Sequence, residues 1–183
     1  MSKAVLFFAD GTEECEALLV ADLLRRAKVE VIIASAMGRR ALVSSHGIHL
    51  NADALAEDVD YSDVDMVILP GGLGGVHSIL ASDTAMNFIR LAYADGKYIA
   101  AICAAPTILA QLHITDGRKA TCYPGLEEKM GAAVMTACGA VQDGRVITGR
   151  AAGSADEFGL LCLQALKGKA AADQVAADIV YRA

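Results

Sequence analysis

This chain has no basic stripe, no C-x-x-C pair, no serine-hydrolase G-x-S-x-G and no apolar run that approaches the roughly 20 residues needed to span a bilayer. Each absence closes off a class of function. With a formal net charge of -6 over 183 residues, the surface lacks the cations that neutralise phosphates, so no nucleic-acid partner is expected. Short apolar runs leave no membrane span, and the N-terminus lacks the charged, apolar, cleavage-site order of a signal peptide, so a cytoplasmic protein is expected. The five cysteines, Cys15, Cys103, Cys122, Cys138 and Cys162, are odd in number, scattered and without a histidine at zinc spacing, so they read as reduced thiols and no metal is expected. The glycine run "PGGLGG" (70–75) ends in neither Gly-Lys-Ser nor Gly-Lys-Thr and does not make the G-x-G-x-x-G fingerprint that opens a helix, so no nucleotide cofactor is expected.

What is present is core-forming sequence: 55% of residues are hydrophobic and 21% charged, enough for a single domain over 1–183. "KAVLFFA" (3–9) reads as a strand buried on both faces, closed by Asp10-Gly11. Residues 14–27 carry apolar positions at helical spacing, with Arg25 and Arg26 in the last turn, and "VEVIIAS" (29–35) restores a strand. Strand, helix, strand in that order predicts a crossover and a parallel sheet, hence an α/β fold. "LVSSHGIHLN" (42–51) predicts a small hairpin, "DMVILPGG" a third buried strand, and 83–94 a helix capped by Asp83. "KYIAAIC" predicts a fourth strand, 104–112 a helix with Pro106 in its first turn, and "VQDGRVIT" a second hairpin. Helices over 154–167 and 169–180 close the chain, with no repeat, linker or low-complexity tract.

Open α/β sheets place active sites at the carboxyl ends of their parallel strands. Cys103, the Pro70-Gly71-Gly72 turn and the acids of "DGTEECEA" (10–17) all fall at such ends. A cysteine at a strand-to-helix turn faces free backbone N–H groups, which predicts a thiol pKa lowered from its usual value of about 8.5, and the Ala104 N–H is placed to stabilise an oxyanion. A buried structural cysteine fits the same residues, and local sequence leaves the two readings open. Glu13 and Glu14 suit a helix start. Glu16, if it points inward, acquires a raised pKa and becomes a hydrogen-bond donor to sulfur. His46 and His49 form an H-x-x-H with no further ligand at useful spacing, and read as structural or surface residues.

"GTEECEA", "VILPGG", "AAICAAP", "TCYPGLEEKM" and "ITGRAAGSADEFGL" occur in an order and spacing that resembles the ThiJ/PfpI superfamily, in its YajL-like (DJ-one-type) branch, over nearly the whole chain. The resemblance implies a flavodoxin-like sandwich with a mostly parallel central sheet, and a homodimer. It also implies a nucleophile at Cys103, a protonated glutamate at Glu16, and backbone donors at Gly72 and Ala104 beside Gly71. The branch includes cofactor-independent glyoxalases acting on methylglyoxal, deglycases acting on early glycation adducts and oxidation-responsive chaperones. The implied partner is therefore a small carbonyl compound or a glycated protein, with no cofactor. Two positions depart from the pattern. Tyr123 stands where a human member of the family has a histidine near the cysteine, and His46 stands where that member has an arginine reaching the site from its dimer partner. The main expectation is cysteine-dependent chemistry on reactive 2-oxoaldehydes, with redox sensing by the same thiol as the alternative. Peptidase or amidotransferase chemistry is the weakest reading, because acyl transfer wants a base oriented on the cysteine.

Overall fold

Strand β1 (Lys3–Phe8) is buried at every position after Lys3, and its side chains alternate between two separate cores. Leu6 and Phe8 enter one, Val5 and Phe7 the other, as the two-residue period of a strand requires. A strand that feeds cores on both faces has no polar side, which explains the unbroken apolar run.

The computed structural model describes residues 2–182. After β1 come α1 (Glu14–Arg26), β2 (Glu30–Ser35), β3 (Ala41–Val43), β4 (His49–Asn51), β5 (Ala54–Leu55), β6 (Met66–Leu69), α2 (Leu73–Leu80), α3 (Asp83–Ala94) and β7 (Tyr98–Ile102). The chain continues through α4 (Pro106–Gln111), β8 (Lys119–Ala120), β9 (Val134–Met135), β10 (Ala140–Asp143), β11 (Val146–Gly149), α5 (Ala155–Lys167) and α6 (Lys169–Asp178). Seven strands form one sheet in the order β10-β11-β7-β6-β1-β2-β5. Every neighbouring pair is parallel except the β10–β11 hairpin. Side chains of α1, α5 and α6 pack on one face of this sheet and those of α2, α3 and α4 on the other. Among the described residues no helix is long and apolar enough to cross a membrane.

The parallel sheet and both hairpins follow the sequence reading, with β3 and β4 pairing antiparallel from Ala41↔Asn51 to Val43↔His49. Three local expectations are corrected. Helix α3 is capped by Ser82, whose Oγ accepts the Ala85 N–H at 3.2 Å, so Asp83 is its first residue and not its cap. Helix α4 begins at Pro106, leaving Cys103, Ala104 and Ala105 in the turn before it. The run "PGGLGG" is a turn only as far as Gly72, and Leu73, Gly74 and Gly75 are the first residues of α2.

Close approach explains why a helix starts on two poor helix formers. A Cβ on Gly75 would sit 2.4 Å from Thr12 Oγ1 and 2.7 Å from Thr12 Cα, so only glycine lets α2 seat against the loop after β1. Thr12 is fixed in turn, since its Oγ1 accepts the Ala9 N–H at 3.0 Å. Adding a methyl would gain up to about 1 kcal/mol of helix propensity, while overpacking costs about 1–3 kcal/mol. Gly75→Ala is therefore expected to lower the stability read by urea denaturation by about 1–2 kcal/mol, and unchanged or higher stability would show that the contact is not tight.

Candidate active site

The chain leaves β1 toward β2 on one side of the sheet and later returns to place β6 on the other side of β1. That reversal is a topological switch point, where the loops beyond the strand ends separate and leave a crevice. Three segments meet there: the loop from β1 to α1, the turn from β6 to α2 and the turn from β7 to α4. The first leads into Glu16 in the first turn of α1, and the other two carry Gly71-Gly72 and Cys103-Ala104.

Cys103 has φ +65, a left-handed conformation that costs a non-glycine residue on the order of 1–3 kcal/mol. Both of its backbone groups are tied, which holds the strained turn. Its N–H donates to Gly149 O at 2.9 Å, and its carbonyl accepts the Tyr123 N–H at 2.7 Å. The small side chains of Ala101, Ala104 and Ala105 are buried around it, and Cys103 itself remains partly accessible.

Glu16 projects from the first turn of α1 and is fully buried. Its Oε2 accepts the Gly71 N–H at 2.8 Å, while Oε1 is buried without a well-formed hydrogen bond. Burial raises its pKa to about 7, against opposing hydrogen bonds from the Cys103 thiol and the Gly71 N–H. An orphaned carboxylate oxygen of this kind favours the protonated acid. Gly71 makes the contact possible, because a Cβ there would lie 2.6 Å from both Cys103 Cβ and Glu16 Oε2.

The thiol does not titrate as the sequence suggests. Burial, followed by the charge of Glu16 and a hydrogen bond to it, pushes the Cys103 pKa up to about 12, with the Gly72 and Ala104 N–H groups pulling the other way. The expected helix-terminus effect is weak because α4 starts three residues later and is only six residues long. Cys103 is thus held as a thiol beside a carboxyl that titrates near neutrality. Such a pair carries two protons at low pH and gives up the first near 7.

The remaining sequence candidates fall into place differently. Tyr123 reaches Cys103 through its backbone N–H and has a half-exposed side chain. His46 lies at the tip of the β3–β4 hairpin, where its Nδ1 is 2.8 Å from Glu14 Oε1. Its contact is with Glu14 rather than with the thiol. Glu13 N-caps α1 by accepting the Glu16 N–H at 2.7 Å, and its own N–H donates to Gly71 O at 3.0 Å. Ligand atoms of Glu13, Glu14 and His46 gather within 4.8 Å of one another, yet this group is satisfied by capping and by its own hydrogen bonds. The sequence reading missed Gly149 and Ala152, which act through the backbone and carry no side-chain signal.

The raised pKa of Glu16 makes a stability prediction with a definite sign. The folded state holds the Glu16 proton up to about pH 7, whereas the unfolded chain releases it near 4.5, the ordinary value for a glutamate. Folded protein therefore loses stability as pH rises through this window. Glu16→Gln, which mimics the protonated acid, is expected to be more stable than wild type above pH 7 in urea denaturation, with the gap closing as pH falls toward 4.5. A gap independent of pH would contradict the buried titration.

Comparison with known proteins agrees with this fold. Residues 2–165 match the sequence profile of the DJ-1/PfpI family. Protein dj-1beta of Drosophila melanogaster is 36% identical over 183 residues, covering 98% of each chain. Protein DJ-1 homolog A of Arabidopsis thaliana is 37% identical over 99% of this chain, but the chain spans only 47% of that protein's length. A deglycase of Pyrococcus abyssi is 29% identical over 128 residues, 70% of this chain and 76% of that one. Among solved structures, a cysteine-to-alanine mutant of a DJ-1 superfamily protein from Salmonella typhimurium superposes with a TM-score of 0.95 at 30% identity, covering 100% of both chains. Drosophila melanogaster DJ-1beta superposes with a TM-score of 0.93 at 36% identity, also over the full length of both. The chain belongs to the DJ-1/PfpI family.

Proposed function

We propose that this protein is a cofactor-independent enzyme acting on reactive 2-oxoaldehydes or their adducts, with Cys103 as nucleophile and Glu16 as its base. The observation that carries this reading is the buried pairing of a thiol with a carboxyl whose pKa is raised to about 7. A general base works best with a pKa near the operating pH, and burial supplies that value here. The deglycase relative from Pyrococcus abyssi supports the same substrate class.

The chemistry follows from the pair. Cys103 sulfur adds to the aldehyde carbon of methylglyoxal while its proton passes to Glu16. The carbonyl π bond breaks, charge develops on the aldehyde oxygen with the Gly72 and Ala104 N–H groups at the sulfur as the neighbouring donors, and Glu16 returns the proton to that oxygen and is again a base. The resulting hemithioacetal has a C–H at the former aldehyde carbon and a neighbouring ketone. Removal of that proton to the site's base and its return to the adjacent carbon oxidises the first carbon and reduces the second, giving the thioester of lactate. Water then cleaves the thioester, releasing lactate and restoring the thiol. The sum is methylglyoxal plus water to lactate, with no external oxidant or reductant.

Redox sensing needs a thiolate that persists without substrate. Burial of Cys103 beside Glu16 pushes its pKa up, which weighs against a standing thiolate. Lactate formation by purified protein without added glutathione is the test. Cys103→Ala is expected to abolish it, and Glu16→Gln to lower kcat by about 10²-fold or more. Equal turnover by wild type and Cys103→Ala would overturn the reading.

A further inference from the structure

A cavity of about 270 Å³ lies between α2, α4 and the 3-10 turn over Glu127–Met130. One of its lining residues, Ala104, supplies a backbone donor to Cys103, and another, Leu73, directly follows the second donor, Gly72. The cavity thus adjoins the two turns that hold the donors, although Cys103 and Glu16 do not themselves line it.

Leu73, Val76, Leu80 and Leu126 form the apolar part of its wall. Leu73 is 63% exposed, an unusual position for a leucine that follows a functional glycine turn. The polar lining includes Lys129 and His77. Among the described residues neither takes part in an ion pair, although the chain carries a net charge of -6 and acids are plentiful. Thr107 Oγ1 donates its proton to Ala104 O at 2.6 Å, which leaves the Lys129 ammonium, the His77 imidazole and the Gln111 amide as the lining groups able to donate to an anion.

We propose that this cavity is a subsite for the remote end of the substrate, and that it selects carbonyl compounds with a short aliphatic spacer ending in a carboxylate. The inference rests on the catalytic reading above for its orientation, with the carbonyl at Cys103 and the tail in the cavity. Leucine and valine walls match the spacer, and the Lys129 ammonium gives the carboxylate a charge-assisted hydrogen bond. A single ammonium beside one imidazole suits one negative charge better than a phosphate dianion. Methylglyoxal, which has no tail, leaves the subsite unused.

Binding is tested apart from turnover in Cys103→Ala protein, where no covalent adduct forms. Levulinate and its neutral methyl ester are titrated while the methyl resonances of Leu73, Val76, Leu80 and Leu126 are followed by NMR. Levulinate is expected to shift these methyls and to bind roughly tenfold more tightly than the ester, with Lys129→Gln removing the difference. In protein with Cys103 intact, Lys129→Gln is expected to leave methylglyoxal turnover unchanged and to raise KM, not lower kcat, for a 2-oxoaldehyde bearing a terminal carboxylate. Equal binding of acid and ester, shifts that map elsewhere, or levulinate binding unaffected by Lys129→Gln would each overturn the subsite. Carboxylate-selective binding without turnover of any oxoaldehyde would sink the catalytic reading and leave the subsite standing.

Discussion

A carboxyl buried against a thiol, with a glycine between them, is the constraint around which this molecule is arranged. Glu16 gives up hydration and receives from Gly71 only one well-formed hydrogen bond, and Cys103 gives up relaxed backbone geometry. Neither arrangement is locally favourable. Both persist because β1, β6 and β7 are adjacent parallel strands whose two faces are filled by separate cores, so their loops have little freedom to relax. Glu13 joins the loop after β1 to the turn after β6 through Gly71 O, and Gly149 and Tyr123 clamp the turn after β7 from either side.

This arrangement changes what the cysteine is expected to do. A nucleophile that waits as a thiolate reacts with any electrophile that reaches it, whereas a thiol paired with a base of pKa about 7 reacts when a substrate accepts the sulfur as the proton leaves. The strained turn and the two backbone donors hold the sulfur in one orientation. On the proposed reading, the cavity beyond Leu73 and Ala104 takes the part of the substrate that does not react.

Much of the fold was legible in the sequence, and the reasons are local. Strands buried on both faces leave continuous apolar runs, and hairpins announce themselves through His46-Gly47 and Asp143-Gly144. Helix α2 was hidden because Gly74 and Gly75 signal a turn, and their true cause, contact with Gly11 and Thr12, lies about sixty residues away in the chain. At the site, the strand-to-helix position of Cys103 and the placement of Glu16 in the first turn of α1 were visible as patterns. Their titration was not, because it depends on how deeply each group is buried and on the charge each presents to the other. His46 was equally opaque, since only the hairpin's placement shows that its partner is Glu14.

On the proposed function, Glu16 acts on Cys103 as a base and, when ionised, as an opposing charge. The pH dependence of Cys103 alkylation, in wild type and in Glu16→Gln, reads this directly. Wild type is expected to show an apparent thiol pKa above the ordinary value of about 8.5, and Glu16→Gln to shift it downward by removing the charge. An apparent pKa below that value in wild type, or one that Glu16→Gln leaves unchanged or raises, would contradict the account.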